Sequence, residues 1–340
     1  MKHDIDKLNL ISRRTFIPGP DLTFDEGGIS SRSRMNPVRQ YNKDKPNKFR
    51  VDFFVLANNT SEKFFTIHLD VYQGKNAANI GIPGEIQTLP TTQNAVINAI
   101  MQSKIANDPN GKRCVFMDSR YPAAALFILL REQCNILCSE TIRKNRIGWS
   151  TEQMNLTKSM PRGMRKVLYN HVNKVMATKW VDNKVVSCTS TLQVSGEVPV
   201  QKRSGTEILN LMVEKSLKCY HEGMGGVDRG DQYQELGAGF ALKAHYKKWY
   251  KKAYFFVLDF MTLNAFLAWN LSAEDPIHNR FKLEKFQFYA ALAKEMILFN
   301  DNEYMNVDDR DDGNVVEHKI RRGTDEVHAP ITESIIKRPY

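Results

Sequence analysis

Hydrophobic positions alternate near the start of this chain and adopt helical spacing toward its end. Phe16-Ile-Pro-Gly-Pro20 is a turn signal, and it introduces a short strand read as Leu22 to Asp25. A polar, arginine-rich loop spans Ser30 to Lys48. Two β-rich runs follow, Phe49 to Ala57 and Phe64 to Tyr72, and Asn58-Asn-Thr-Ser61 between them fits a hairpin loop. Apolar residues at Ala95, Val96, Ala99, Ile100 and Met101 predict an amphipathic helix over Thr91 to Ile105. Arg113 to Asp118 is an apolar run of strand length. Pro122 stands where the next helix begins, Ala123 to Leu130 continue it, and Ile136 to Ile142 read as a further strand.

Three antiparallel-type strands, then helix, strand, helix, strand: this order predicts an α/β fold with an RNase H-like core. In that architecture the first and fourth strands lie side by side at the sheet centre. The pattern divides the chain into a first part of the core at 1–146, an inserted subdomain at 147–222 and a core completion with C-terminal helices at 223–300. Within the last part, long helical patterns run from Lys243 to Leu271 and from Pro276 to Phe299. The polar, acidic tail at 301–340 is expected to be mobile.

Composition narrows the class. The 340 residues carry a net charge of +10, which favours a polyanionic partner through counterion release. The five cysteines form no C-x-x-C pair and no zinc-finger spacing, so they read as free, mostly buried thiols of a reducing compartment. No run reaches the roughly 20 apolar residues of a membrane span, and Met1-Lys-His-Asp-Ile-Asp has no signal-peptide core. The expectation is a nuclear or cytosolic protein without a membrane partner.

Three segments carry the candidate chemistry. Leu22-Thr-Phe-Asp25 and Cys114-Val-Phe-Met-Asp118 are apolar runs that each end in a carboxylate. Gly225-Gly-Val-Asp228-Arg-Gly-Asp231-Gln232 sets two carboxylates one helical turn apart after a glycine pair. Acids on a rigid frame suit magnesium, a hard cation that takes oxygen ligands. Two such ions about 3.5–4 Å apart clamp an in-line phosphoryl displacement. The plainer alternatives are that the strand-end acids cap the following turns and that Asp228 is a helix N-cap. Glu26 points away from Asp25 and reads as a solvated neighbour.

Several strings occur here in one order: Asp25-Glu26, Lys45-Pro-Asn-Lys48, Asp118, Thr141-Ile-Arg143-Lys-Asn-Arg146, Trp180-Val-Asp-Asn-Lys184 and Met224-Gly-Gly-Val-Asp228-Arg-Gly-Asp231-Gln232. Together they resemble the transposase domain of the piggyBac family, from about Pro18 to Phe299, and Lys247-Lys-Trp249-Tyr-Lys-Lys252 adds to the likeness. The resemblance implies a DDE/D transposase that cuts and joins double-stranded DNA with magnesium or manganese; a nuclear location is expected, and a homodimer is one expected partner, although the family's N-terminal dimerisation region is largely missing here. Asp25, Asp118 and Asp228 would hold the metal, with Asp231 supporting. Asp25, at the sheet centre, would bridge both ions.

The sequence departs from that pattern at Ser119, where an Asn is usual, at Asp52, which replaces a basic residue and is expected to weaken a DNA contact, and at Glu140, where Gly is typical. The family's N-terminal DNA-binding region and C-terminal cysteine module are not found in this sequence, so recognition of transposon ends is expected to be lost. A second reading is therefore a non-catalytic DNA-binding protein derived from a transposase. A third is an interaction module whose acids only cap. The basic residues Lys45, Lys48, Arg143, Lys144, Arg146, Lys247, Lys248, Lys251 and Lys252 are the candidate phosphate contacts. Trp180 reads as a core anchor rather than a base stacker.

Overall fold

The computed structural model describes residues 1–43, 45, 47–60, 63–74, 90–109, 111–121, 124–143, 152–192, 194–228, 230, 239–243, 246–273 and 281–298. The chain divides into two compact units, Pro18–Gly230 on one side and Met1–Ile17 with Asp231–Tyr340 on the other. In the larger unit the elements run β1 (Asp21–Ser30), β2 (Gln40–Tyr41), β3 (Phe49–Thr60), β4 (Lys63–Val71), α1 (Thr91–Gln102), β5 (Arg113–Met117), α2 (Ala124–Cys134) and β6 (Ile136–Thr141). The next three are β7 (Arg165–Asn170), β8 (Val175–Val181) and β9 (Val185–Ser190). The hairpin β10 (Glu197–Ser204) and β11 (Glu207–Glu214) follows, and then α3 (Lys215–Gly223).

Among the described residues, nine strands form one sheet in the order β2-β3-β1-β5-β6-β9-β8-β7, with β4 also paired to β3. The pairings β1–β3 and β3–β4 are antiparallel, whereas β1–β5 and β5–β6 are parallel. The two acid-bearing strands are therefore direct neighbours at the centre. The segment read as an insertion continues the same sheet, because β9 pairs antiparallel with β6.

Alternation along β1 decides what each face meets. Leu22 and Phe24 are fully buried and join Val115, Met117, Ile136 and Cys138 in one core layer. α1 covers that layer with Val96, Ile97 and Ile100, and α2 with Leu126, Phe127 and Leu130, residues spaced to form one helical stripe each. The opposite face is a separate layer of Cys114, Phe116, Trp180, Cys188, Val213, Leu217 and Tyr220, supplied in part by the β11 strand and α3. Trp180 is the core anchor the sequence reading expected, at 1% exposure.

In the smaller unit, α4 (Lys2–Thr15), α5 (Phe240–Lys243), α6 (Trp249–Ala273) and α7 (Lys285–Ile297) are helical. The amide of Asn264 donates to the Ser12 hydroxyl at 2.9 Å, and Phe266 meets Phe288 edge-on at 5.6 Å. The carboxylate of Asp259 accepts the backbone N–H groups of Phe240 and Ala241 at 2.9 and 3.0 Å. α6 corrects one expectation, since by length and composition alone it could cross a membrane. Its residues Ala253, Phe256, Val257, Asp259, Phe260 and Leu263 are buried in the structure. The tail at 301–340 lies outside the described residues.

Candidate active site

Asp25 lies within β1 rather than at its end, because antiparallel pairing with β3 carries the strand on to Ser30. The parallel register with β5 reaches Phe24 beside Met117. Asp25 and Asp118 are the next residue on each strand. Phe24 and Met117 point into the helix-covered layer, so strand alternation turns Asp25 and Asp118 together toward the other face. Asp118 is half-buried at the C-terminal end of β5, and its Oδ1 accepts the Arg120 backbone N–H at 2.7 Å. The turn-capping role and a place beside Asp25 thus coexist in one side chain.

The glycine turn brings the third acid. Thr23, on the Asp25 face of β1, donates its hydroxyl to the Gly223 carbonyl at 2.8 Å, and the Asn59 amide donates to the same oxygen. Gly225 has φ +127, a conformation that L side chains avoid. A Cβ on Gly226 would stand 2.7 Å from the Thr23 hydroxyl, so glycine is what lets the turn lie on the sheet. Residues 226–228 are helical, and Asp228 is exposed. Burial first, then the like charge of Asp118, pushes the Asp25 carboxyl up to about 7. Asp228 adds to that rise, while the Glu26 backbone N–H and the field of Lys45 oppose it. Burial also raises the Tyr220 hydroxyl, with Asp118 and Asp25 among the charges that add to the effect. Its oxygen lies 3.3 Å from that of Thr141 at the end of β6.

Each basic candidate has its own surroundings. Lys45 and Lys48 are exposed, and Lys45 is close enough to act on Asp25. Arg143 is exposed, with Nε 3.4 Å from the Ser119 hydroxyl beside Asp118. Lys247, Lys248 and Lys251 are exposed on the other unit, and burial lowers Lys252. Lys144, Arg146 and Asp231 lie outside the described residues.

Two expectations are corrected. Glu26 does face away from Asp25, but it is not solvated: its side chain is 7% exposed, and Arg120 Nη1 lies 3.1 Å from its Oε2. Asp52 is not an exposed residue, being 4% exposed and ion-paired to Arg50 and Arg120. Thr23, Asn59 and Tyr220 were not singled out in the sequence. A buried Thr two residues before Asp25 on an alternating strand was the available signal for the first.

Two neighbouring strands at the centre of a mixed sheet each carry an acid turned to one face, and a turn anchored on that face leads to a third. The chain belongs to the Transposase IS4 family, whose profile matches residues 2–266. Its fold is also similar to a solved structure described as a cryo-EM structure of a piggyBac transposase synaptic complex with hairpin DNA. The TM-score is 0.63 at 17% identity, covering 84% of this chain and 55% of that one. This chain thus spans little more than half the length of that relative. The piggyBac resemblance drawn from the motifs is borne out.

Proposed function

We propose that this chain is a DDE/D-type catalytic domain that cuts and joins DNA strands with magnesium or manganese. The observation that carries the reading is the placement of Asp25 and Asp118 as neighbours on adjacent central strands, turned to the face on which the Asp228 turn is anchored. The strand order β4-β3-β1-β5-β6, with its antiparallel and parallel pairings, supports an RNase H-like core.

The donor chemistry fits a hard divalent cation, since every ligand offered is a carboxylate oxygen. The rise of Asp25 to about 7 reflects burial and crowding by like charges, which such a cation relieves. Asp25, Asp118 and Asp228 would hold it, with Asp231 in support. Bound there, it would activate an attacking oxygen and stabilise a leaving one. The chain's own residues do the rest. β1 and β5 fix two of the acids on rigid backbone. Lys45 and Arg143 lie near the acids and would meet the phosphodiester. Arg143, Lys144 and Arg146, and the lysines of 247–252, would track the DNA backbone. The nucleus is the location we propose with duplex DNA as substrate, and a homodimer is the assembly proposed.

The test is nicking of duplex DNA by the purified protein in magnesium or manganese, against Asp118→Asn. Metal-dependent cleavage lost in the variant supports the reading, and equal activity in both sinks it. One observation favours the non-catalytic alternative: among the described residues no group of three or more His, Cys, Asp or Glu side chains is arranged to hold a metal ion. DNA binding with a steep salt dependence and no cleavage would decide for that alternative.

A further inference from the structure

The reverse side of β1 carries a second charged cluster, which the proposed chemistry does not use. Glu26 and Asp52 have side chains 7% and 6% exposed. Arg120 Nη1 stands 3.1 Å from Glu26 Oε2 and 3.6 Å from Asp52 Oδ2, and Arg50 pairs with Asp52 from the other side. The Tyr121 hydroxyl donates to Glu26 Oε1. Two carboxyl groups thus face two guanidinium groups. Gly28 is part of the design. A Cβ there would sit 1.8 Å from Arg50 Nη2, so the guanidinium fills the space a side chain would take.

Arg120 also belongs to the acid site by its backbone. Its N–H donates to Asp118 Oδ1 at 2.7 Å, and the N–H of Tyr121 donates to the Asp118 carbonyl at 3.5 Å. We propose that Arg120, clamped by Glu26 and Asp52, is the positioning residue that holds the Asp118 carboxylate ready for a divalent cation. The inference rests on the cation-binding reading above. The physical argument is local. Asp118 follows a five-residue strand and is half-buried, so nothing in the strand alone fixes its side-chain rotamer. A 119–121 turn free to rock would move its N–H donors, and the carboxylate with them. The two ion pairs on the far face hold that turn by its Arg120 side chain, and Tyr121, fully buried against Phe24 at 5.0 Å, holds it by the next. Asp52 gives Arg120 its second carboxylate.

The test measures Mn2+ affinity by electron paramagnetic resonance on the purified chain, with circular dichroism to establish folding. Arg120→Met is expected to weaken Mn2+ binding about 10- to 100-fold, the usual loss when a supporting contact behind a metal ligand is removed. Arg120→Lys, which keeps the charge, should recover part of that loss, and Asp52→Asn should show a smaller loss of the same kind. Arg162→Met is the structural control. It breaks another partly buried pair, Arg162 Nε with Asp182 at 3.0 Å, and should leave Mn2+ affinity unchanged. Should Arg120→Met fail to fold, Arg120→Lys and Asp52→Asn carry the test. Wild-type affinity in folded Arg120→Met, or in both remaining variants when that one does not fold, overturns the clamp. Absence of Mn2+ binding by the wild type overturns the cation reading itself, and the clamp with it.

Discussion

Asp25 and Glu26 are consecutive residues of one strand, both raised by like charges, and Glu26 has an arginine at ion-pair distance. Burial pushes both up, Asp25 to about 7 and Glu26 to about 8. On the Asp25 face the next influence is another carboxylate, Asp118, with Asp228 beyond it. On the Glu26 face the charge of Asp25 also raises, but Arg120 lies within ion-pair distance and Tyr121 donates a hydrogen bond. Burial of an acid is thus no mark of function by itself. What separates the two is the arginine at ion-pair distance from Glu26, which offsets part of the like-charge crowding on that face.

The comparison can be broken at several points. The largest expected effect is structural. Phe24→Ala empties the helix-covered layer between the two acids' strands and should cost about 3–5 kcal/mol of stability in urea unfolding. A loss below about 1 kcal/mol would mean that β1 is not fixed by that layer. Next comes chemistry. Asp118→Asn should lower metal-dependent DNA cleavage at least about 100-fold, as several kcal/mol of transition-state stabilisation implies, with a melting temperature no lower than wild type in metal-free buffer.

A smaller effect concerns pH. The folded state holds a proton on Asp25 up to about 7, whereas an ordinary Asp releases it near 3.8. The folded form therefore binds more protons than the unfolded form between those values. The Asp25 contribution to stability must then fall as pH rises through that window. Asp25→Asn should flatten this slope and be the more stable protein at pH 8 in EDTA. Millimolar magnesium should raise the melting temperature of the wild type and not of the variant. An unchanged slope in Asp25→Asn would show that other groups set it. The smallest effect is at the rim. Arg143→Ala should weaken DNA binding and lower its salt slope by about one, leaving stability unchanged.

Legibility in the sequence followed how local the cause was. β5 was readable because all five of its residues are buried, and α1 because its apolar residues keep one face. β1 was read four residues long, ending at Asp25, although Gly27 and Gly28, residues that weaken a strand, belong to it. Pairing with β3 overrides that signal, with Gly28 opposite Asp52. The helix α4 escaped notice because its buried side is only Ile5, Leu8 and Ser12 on an otherwise polar segment. β10 shows no buried position, so its alternation was too weak to read. The three candidate acids were legible as types and spacing. The Thr23 and Asn59 contacts that seat the glycine turn were not, since each joins residues far apart in the chain.

The central claim is that a divalent cation belongs on the Asp25 face of β1. Mn2+ binding measured directly on the wild type, Asp25→Asn and the remote control Asp182→Asn tests it most simply. The account predicts binding by the wild type and by Asp182→Asn, and its loss in Asp25→Asn. Equal Mn2+ affinity in Asp25→Asn and the wild type would contradict it.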